Sequence, residues 1–258
     1  MKTIARFLPG DAIIRLQCVI IVVVALVFSA LLGSRFFSVA NFQSIGSQLP
    51  ILGMLALGMG MTMLTGGINL SIIAGANACS LVMAAIIVTH PDNPLFLVLA
   101  LLAGAAVAVA IGTLNGALIA WVGVSPILAT LGTMIIARGI AQLANGNMNT
   151  DGIPEGADGF KSIFYYGDTL GLFNPIWIGI ILFLIFAFIL GKTCTGRHTY
   201  AIGSNYEAAK LSGVNVVVAE TKVYVFSAFL AGIVGLMLTA QSGMGTMNAG
   251  MSYELNAV

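Results

Sequence analysis

Hydrophobic positions in this chain run in long unbroken stretches instead of alternating with polar ones, and the stretches have the length of bilayer-crossing helices, about 20 residues each. Read this way, the sequence predicts spans near 13–33, 48–65, 68–90, 95–121, 126–144, 171–190 and 222–241. Barrel strands would alternate apolar and polar residues over about ten positions. Ile180 to Leu190 is apolar throughout. Backbone in lipid is satisfied only by helices or closed barrels, so the expected fold is an all-α, polytopic transmembrane bundle of seven spans. Lys2, Arg6 and Arg15 precede the first stretch as they would a signal peptide, but Leu16 to Gly33 is too long for its apolar core of 7–15 residues. That stretch reads as an uncleaved first helix.

Composition agrees. Of 258 residues, 59% are hydrophobic and 7% charged, where a soluble domain carries about a quarter charged residues. No charge occurs from 36 to 91, 93 to 137, 169 to 191 or 223 to 253. A net charge of +1 without a basic run leaves no footprint for nucleic acid. The placement of the charges is more informative than their balance, because cytoplasmic loops hold the excess of Lys and Arg. The basic N-terminus starts inside, so segments 34–47, 91–94 and 145–170 fall outside and 191–221 inside. The outside set holds Arg35 and Lys161, whereas the inside segment holds Lys192, Arg197 and Lys210. The 145–170 segment carries Asp151, Glu155, Asp158 and Asp168 among the turn-formers Asn145, Gly146, Gly152, Pro154 and Gly167, and is expected to be a solvated acidic loop. No segment is long or polar enough to form a second domain, so 1–258 reads as a single transmembrane domain.

Several features suggest packing and argue against chemistry. Small residues crowd the fourth span, with Gly112 and Gly116 in G-x-x-x-G spacing, which lets helix backbones approach closely. Met54, Met59, Met61 and Met63 are gap-fillers, and Cys18, Cys79 and Cys194 lack pairing or metal-ligand spacing. His90 and His198 fall on opposite sides of the membrane and share no site. Gly191-Lys192-Thr193 lacks the glycine that a phosphate loop places five residues earlier, where Phe186 stands, so the chain has no recognisable ATP site. The sequon Asn69-Leu70-Ser71 is discounted because it adjoins a span.

Three places stand out. Paired glycines in Leu64-Thr65-Gly66-Gly67-Ile68-Asn69-Leu70-Ser71 interrupt an apolar region, as either a tight turn or backbone lining a polar cavity. Asn77, Asn115 and Gln142 carry amides inside spans, and Arg138 carries a charge that either snorkels to the interface or faces a solute path. Asn69, Asn77, Asn115 and Arg138 are therefore the candidate pathway residues. On the inside segment, Gly203 to Gly213 offers a short amphipathic helix, capped by Ser204 or Asn205 and ended by Gly213.

Together with Asn115-Gly116, the run from Pro126 through Thr130-Leu131-Gly132-Thr133-Met134 to Arg138-Gly139, and Tyr253-Glu254-Leu255, these residues resemble the permease family of bacterial sugar ABC importers. That family includes ribose, galactose, xylose and autoinducer-2 systems. The resemblance spans essentially the whole chain. It implies a non-enzymatic, multi-pass subunit of the bacterial inner membrane, N-terminus cytoplasmic, passing a monosaccharide or similar small polar solute. ATP and Mg are implied only on a separate cytoplasmic ATPase. The other implied partners are a periplasmic solute-binding protein and a second permease chain, identical or not. Glu207 to Gly213 fits the family's E-A-A-x-x-x-G pattern, which makes 191–221 a coupling loop with Glu207, Ala208, Ala209 and Gly213 as the ATPase contact. The family commonly has aspartate where this chain has Asn69 and Asn256. It also continues beyond Tyr-Glu-Leu with further spans, so the chain is expected to be C-terminally incomplete. Against the importer stand an ion-coupled secondary transporter and a non-transporting membrane scaffold. The near absence of intramembrane acids disfavours the former.

Overall fold

The computed structural model describes residues 10–90, 93–144, 148–154 and 158–247. Lys2, Arg6, Asn145, Gly146, Glu155, the Tyr253-Glu254-Leu255 motif and Asn256 lie outside the described residues. Two compact units are formed, Met1–Gly46 and Ser47–Val258. The first holds α1 (Gly10–Leu32), a 3-10 turn (Gly33–Arg35) and the start of α2 (Val39–Leu64). Ser38 marks that start: its hydroxyl donates to the Arg35 carbonyl (2.8 Å) and accepts from the Asn41 amide (3.3 Å). The helix thus begins nine residues before the predicted span and runs through Pro50.

In the second unit follow α3 (Ile72–Thr89), α4 (Pro94–Gly116, extended by a π turn Ala117–Trp121) and α5 (Pro126–Ala144). After them come the one-turn α6 (Asp158–Lys161) with a π turn Ser162–Tyr166, the two-residue strands β1 (Asp168–Thr169) and β2 (Leu172–Phe173), and α7 (Asn174–Lys192). The chain then forms α8 (Cys194–Ser204), α9 (Tyr206–Leu211) and α10 (Val216–Ser242). Among the described residues seven helices are long and apolar enough to cross a membrane, which makes the chain a polytopic helical membrane protein.

Glycine sets the closest approaches. A Cβ on Gly112 would stand 2.6 Å from Val225 Cα, and one on Gly116 2.7 Å from Thr221 Cα, so the G-x-x-x-G face of α4 seats the backbone of α10. Gly179 of α7 leaves room for the Pro50 ring, which a Cβ there would meet at 2.9 Å. The two most buried spans, α3 and α10, run side by side in the same direction. Their contacts keep a nearly constant offset: Asn69, just before α3, with Ser227; Ala76 with Gly235; Ser80 with Thr239 (2.6 Å).

The 145–170 segment departs from a purely solvated loop. Asp151, Asp158 and Asp168 are exposed, but Thr150, Ile153, Phe160 and Tyr165 are buried. Ser162–Tyr166 packs on α10 and α7, the Tyr165 hydroxyl donates to Ser47 Oγ (3.2 Å), and Lys161 Nζ donates to the Ile153 carbonyl (3.0 Å). The described acidic positions thus face outward while part of the apolar set packs inward.

Candidate functional site

The Leu64–Ser71 break is a tight turn whose polar end points into the bundle. Gly66 (φ +85°) lets the chain reverse, and the Gly66 and Gly67 amides donate back to the carbonyls of Met63 (3.0 Å) and Thr62 (2.9 Å). Asn69 is thereby carried inside, 1% exposed. Its Nδ2 donates to Ser227 Oγ (3.0 Å), and its Oδ1 accepts from both the amide (3.1 Å) and the hydroxyl (2.7 Å) of Ser71. Ser71 Oγ accepts from Asn115 Nδ2 (2.8 Å), and Asn115 Oδ1 accepts from the Thr133 hydroxyl (2.5 Å). Residues from the turn, α4, α5 and α10 are thus joined in one continuous chain of hydrogen bonds. Both ends of the Asn69 and Asn115 amides are in use, so this network holds helices together.

Asn77 belongs to a different place. It is 4% exposed, and its Nδ2 donates to the Met247 carbonyl (2.9 Å). After α10 ends at Gly243, in the left-handed conformation (φ +68°), the chain turns back alongside α3. Gly245 lies against Leu81 and Ala84, and Met247 reaches Asn77. Residues 149–153 accompany it: Thr150 N donates to the Gly245 carbonyl (3.0 Å), Gly245 N to Thr150 Oγ1 (2.7 Å), and Met247 N to Asn149 Oδ1 (3.1 Å). Asn77 stands twelve residues below Thr89, about 18 Å along α3 at 1.5 Å per residue. Irregular backbone this deep is tolerated where protein buries it or a polar cavity adjoins it. Asn77 Oδ1 is buried without a hydrogen-bond partner, and so is Oγ1 of Thr246, the residue before Met247 in the chain.

Arg138 is exposed. It lies on the exposed side of α5, while Ala137 and Ala141 face α3. Of the four candidate pathway residues, the structure joins Asn69 to Asn115 through Ser71, sets Asn77 against Met247, and puts Arg138 on the exposed side of α5.

At the far end of the same unit, α9 starts on Asn205, whose Oδ1 accepts from the Ala208 amide (2.9 Å), and stops at Gly213 (φ +85°). Ser204 is the last residue of α8. Glu207, Ala208 and Gly213 are exposed; Ala209 turns inward and packs with Ile202, Val216 and Ala219. Partial burial, then the carboxylates of Glu220 and Glu207, raise the Tyr206 phenol above its ordinary pKa, so it stays protonated at neutral pH. Gly203 of α8 abuts the Leu64 carbonyl, and Gly67 abuts the Tyr224 hydroxyl. The α8–α9 pair is therefore in backbone contact with the turn that delivers Asn69. Ser71 and Thr133 stand in motifs that the sequence singles out but are not among its candidate pathway residues, and Ser227 and Thr246 are not anticipated at all, since single hydroxyls in apolar surroundings carry no signal of their own.

Residues 41–258 match the family model described as branched-chain amino acid transport system / permease component. Ribose import permease protein RbsC of Haemophilus influenzae is 33% identical over 98% of this chain and 77% of its own length. The protein of the same name from Escherichia coli K12 is 34% identical over 98% and 78%. Autoinducer 2 import system permease protein LsrC of Salmonella choleraesuis is 29% identical over 92% and 66%. No solved structure matches the chain.

Proposed function

The chain belongs to the branched-chain amino acid transport system / permease component family, and from that membership we propose that it is the membrane-spanning subunit of an ATP-driven importer for ribose or a similar small polyhydroxylated solute. The observation that carries the reading is the 34% identity to a ribose import permease, which runs through 98% of this chain and so takes in the spans, the Asn69 turn and the α8–α9 segment alike. In this reading the subunit sits in a bacterial inner membrane with its N-terminus and residues 191–221 on the cytoplasmic side. A separate ATPase, with its ATP and Mg, docks on Glu207, Ala208 and Gly213; Ala209 anchors that helix to α10. A solute-binding protein delivers from the opposite face, and a second permease chain completes the path. The chain itself catalyses no reaction.

The geometry suits this division of labour. A short helix held by a cap, a glycine stop and one buried alanine is rigid enough to be pushed, and its neighbour α8 rests on the turn at the end of α2. The test is uptake of labelled D-ribose into proteoliposomes holding the permease, the ATPase and the binding protein. Accumulation is expected with ATP and absent with a non-hydrolysable analogue. Accumulation driven by a proton or sodium gradient without any ATPase would establish a secondary transporter in its place.

A further inference from the structure

Among the described residues three side-chain amides are buried, those of Asn69, Asn77 and Asn115, and two of them are bonded at both ends. Asn69 and Asn115 are bonded at both Nδ2 and Oδ1. Asn77 is bonded at Nδ2 alone, and that bond to the Met247 carbonyl fixes which way the amide points, leaving Oδ1 as a buried acceptor. Thr246, the residue before that carbonyl, has a buried hydroxyl that is also without a partner. Buried polar atoms are nearly always satisfied, so two of them beside one backbone link mark a place where something else belongs.

Resting on the import reading, we propose that Asn77 Oδ1 and Thr246 Oγ1 form a recognition point for a hydroxyl group of the passing solute. Chemistry narrows the occupant. An amide oxygen only accepts, so the occupant must donate; a threonine hydroxyl donates as well as accepts, so the same group is also served as an acceptor. A hydroxyl does both. Carboxylate and phosphate groups offer no donor to Oδ1. A cation is disfavoured because α3 and residues 243–247 hold no acidic residue and Asp151, in the accompanying 149–153 stretch, is exposed. Position supports the assignment: the point lies about 18 Å along α3 from Thr89, where two stretches of non-helical backbone enter the bundle. Broken backbone packed inside the bundle is the usual surrounding of a solute site in membrane transporters.

The experiment uses the complete transporter in proteoliposomes with D-ribose and its 2-, 3- and 5-deoxy analogues as probes, and compares wild type with Asn77→Leu, Thr246→Val and Thr246→Ser. The binding protein is the same throughout, so a changed ratio between sugars belongs to the permease. Asn77→Leu and Thr246→Val are expected to slow ribose uptake by about tenfold, the loss of one buried hydrogen bond, while one deoxy analogue stays within about twofold of its wild-type rate. Thr246→Ser, which keeps the hydroxyl, retains the wild-type ratio. If both variants slow ribose and every deoxy analogue by one common factor, the residues are structural and the inference is overturned. If all rates are unchanged, the two atoms hold only water, and it is overturned equally. A wild-type complex that imports none of these sugars removes the import reading, and the inference with it.

Discussion

Asn69 shows how one amide can stand where the resembling family commonly has aspartate. Its Oδ1 already accepts from the amide and the hydroxyl of Ser71, and its Nδ2 donates to Ser227, whose hydroxyl can rotate to donate in return. A carboxylate there would therefore meet three donors without moving a helix. Asn69→Asp is expected to keep the thermal unfolding midpoint in detergent within a few degrees of wild type, whereas Asn69→Leu, which strands the Ser71 and Ser227 hydroxyls, lowers it clearly. Equal losses in the two variants would show that the hydroxyls do not reorient. Asn115 is the network's midpoint, bonded to Ser71 on one side and Thr133 on the other. Asn115→Ala should cost about 1–2 kcal/mol, the range for a buried hydrogen bond inside a membrane bundle. A double-mutant cycle with Thr133→Val should be non-additive, because either change breaks the same bond; strict additivity would mean that the two side chains act separately. The sequence revealed Asn69, Asn77 and Asn115 because an amide in an apolar run is conspicuous. It could not show what the hydroxyls of Ser71, Thr133, Ser227 or Thr246 do, since serine and threonine in helices commonly bond to their own preceding turn, as Thr199 does to the Thr195 carbonyl (2.9 Å).

Among elements, the caps were legible and the packing was not. Asn205 and Gly213 delimit α9 as their residue types predict, and Asn215 likewise opens α10, six residues before its predicted start. The helix α8 went unforeseen because Cys194–Ser204 contains two glycines and two β-branched threonines and lacks a strong apolar stripe; it is held by its neighbours. For the opposite reason the sequence predicts α2 too short, from 48 where the helix starts at Val39. Pro50 looks like a helix start, and only Gly179 on another span shows how its ring is accommodated within the helix. These same contacts single out one junction for transmitting force. A Cβ at Gly203 would run into the Leu64 carbonyl, so Gly203→Val must push α8 away from the end of α2. Ala208→Asp instead alters only the exposed face of α9. In the assembled transporter, Gly203→Val is expected to leave the ATPase bound and hydrolysing while ribose uptake falls at least tenfold. Ala208→Asp is expected to lose the ATPase on co-purification. Normal uptake by Gly203→Val, at wild-type abundance, would show that the α8–α2 contact transmits nothing.

For the whole molecule, parity can be checked without reference to any membrane. The third and seventh spans must run in the same direction if three crossings lie between them, and the constant offset joining Asn69 to Ser227, Ala76 to Gly235 and Ser80 to Thr239 shows that α3 and α10 do. The alternation of apolar runs and short polar breaks was enough to predict that count, because each run is as long as a bilayer is thick. What it could not predict is that 149–153 and 243–247 fold back beside α3, since that depends on Thr150 and Gly245 meeting across 95 residues of chain. Absolute direction rests on charge: Lys192, Arg197 and Lys210 gather at the α8–α9 end, and the segment holding Asp151, Asp158 and Asp168 lies at the other. The positive-inside rule predicts that the first end faces the cytoplasm. In a background with Cys18, Cys79 and Cys194 replaced, a cysteine at Asp158 should react with an impermeant maleimide in intact cells, and one at Lys210 only after the membrane is opened. Both positions suit the assay because both are exposed and neither belongs to a span. Labelling of the Lys210 position in intact cells, with the Asp158 position protected, would invert the bundle. It would also remove the α8–α9 pair from reach of any cytoplasmic ATPase, so the result bears on the docking surface as directly as on the topology.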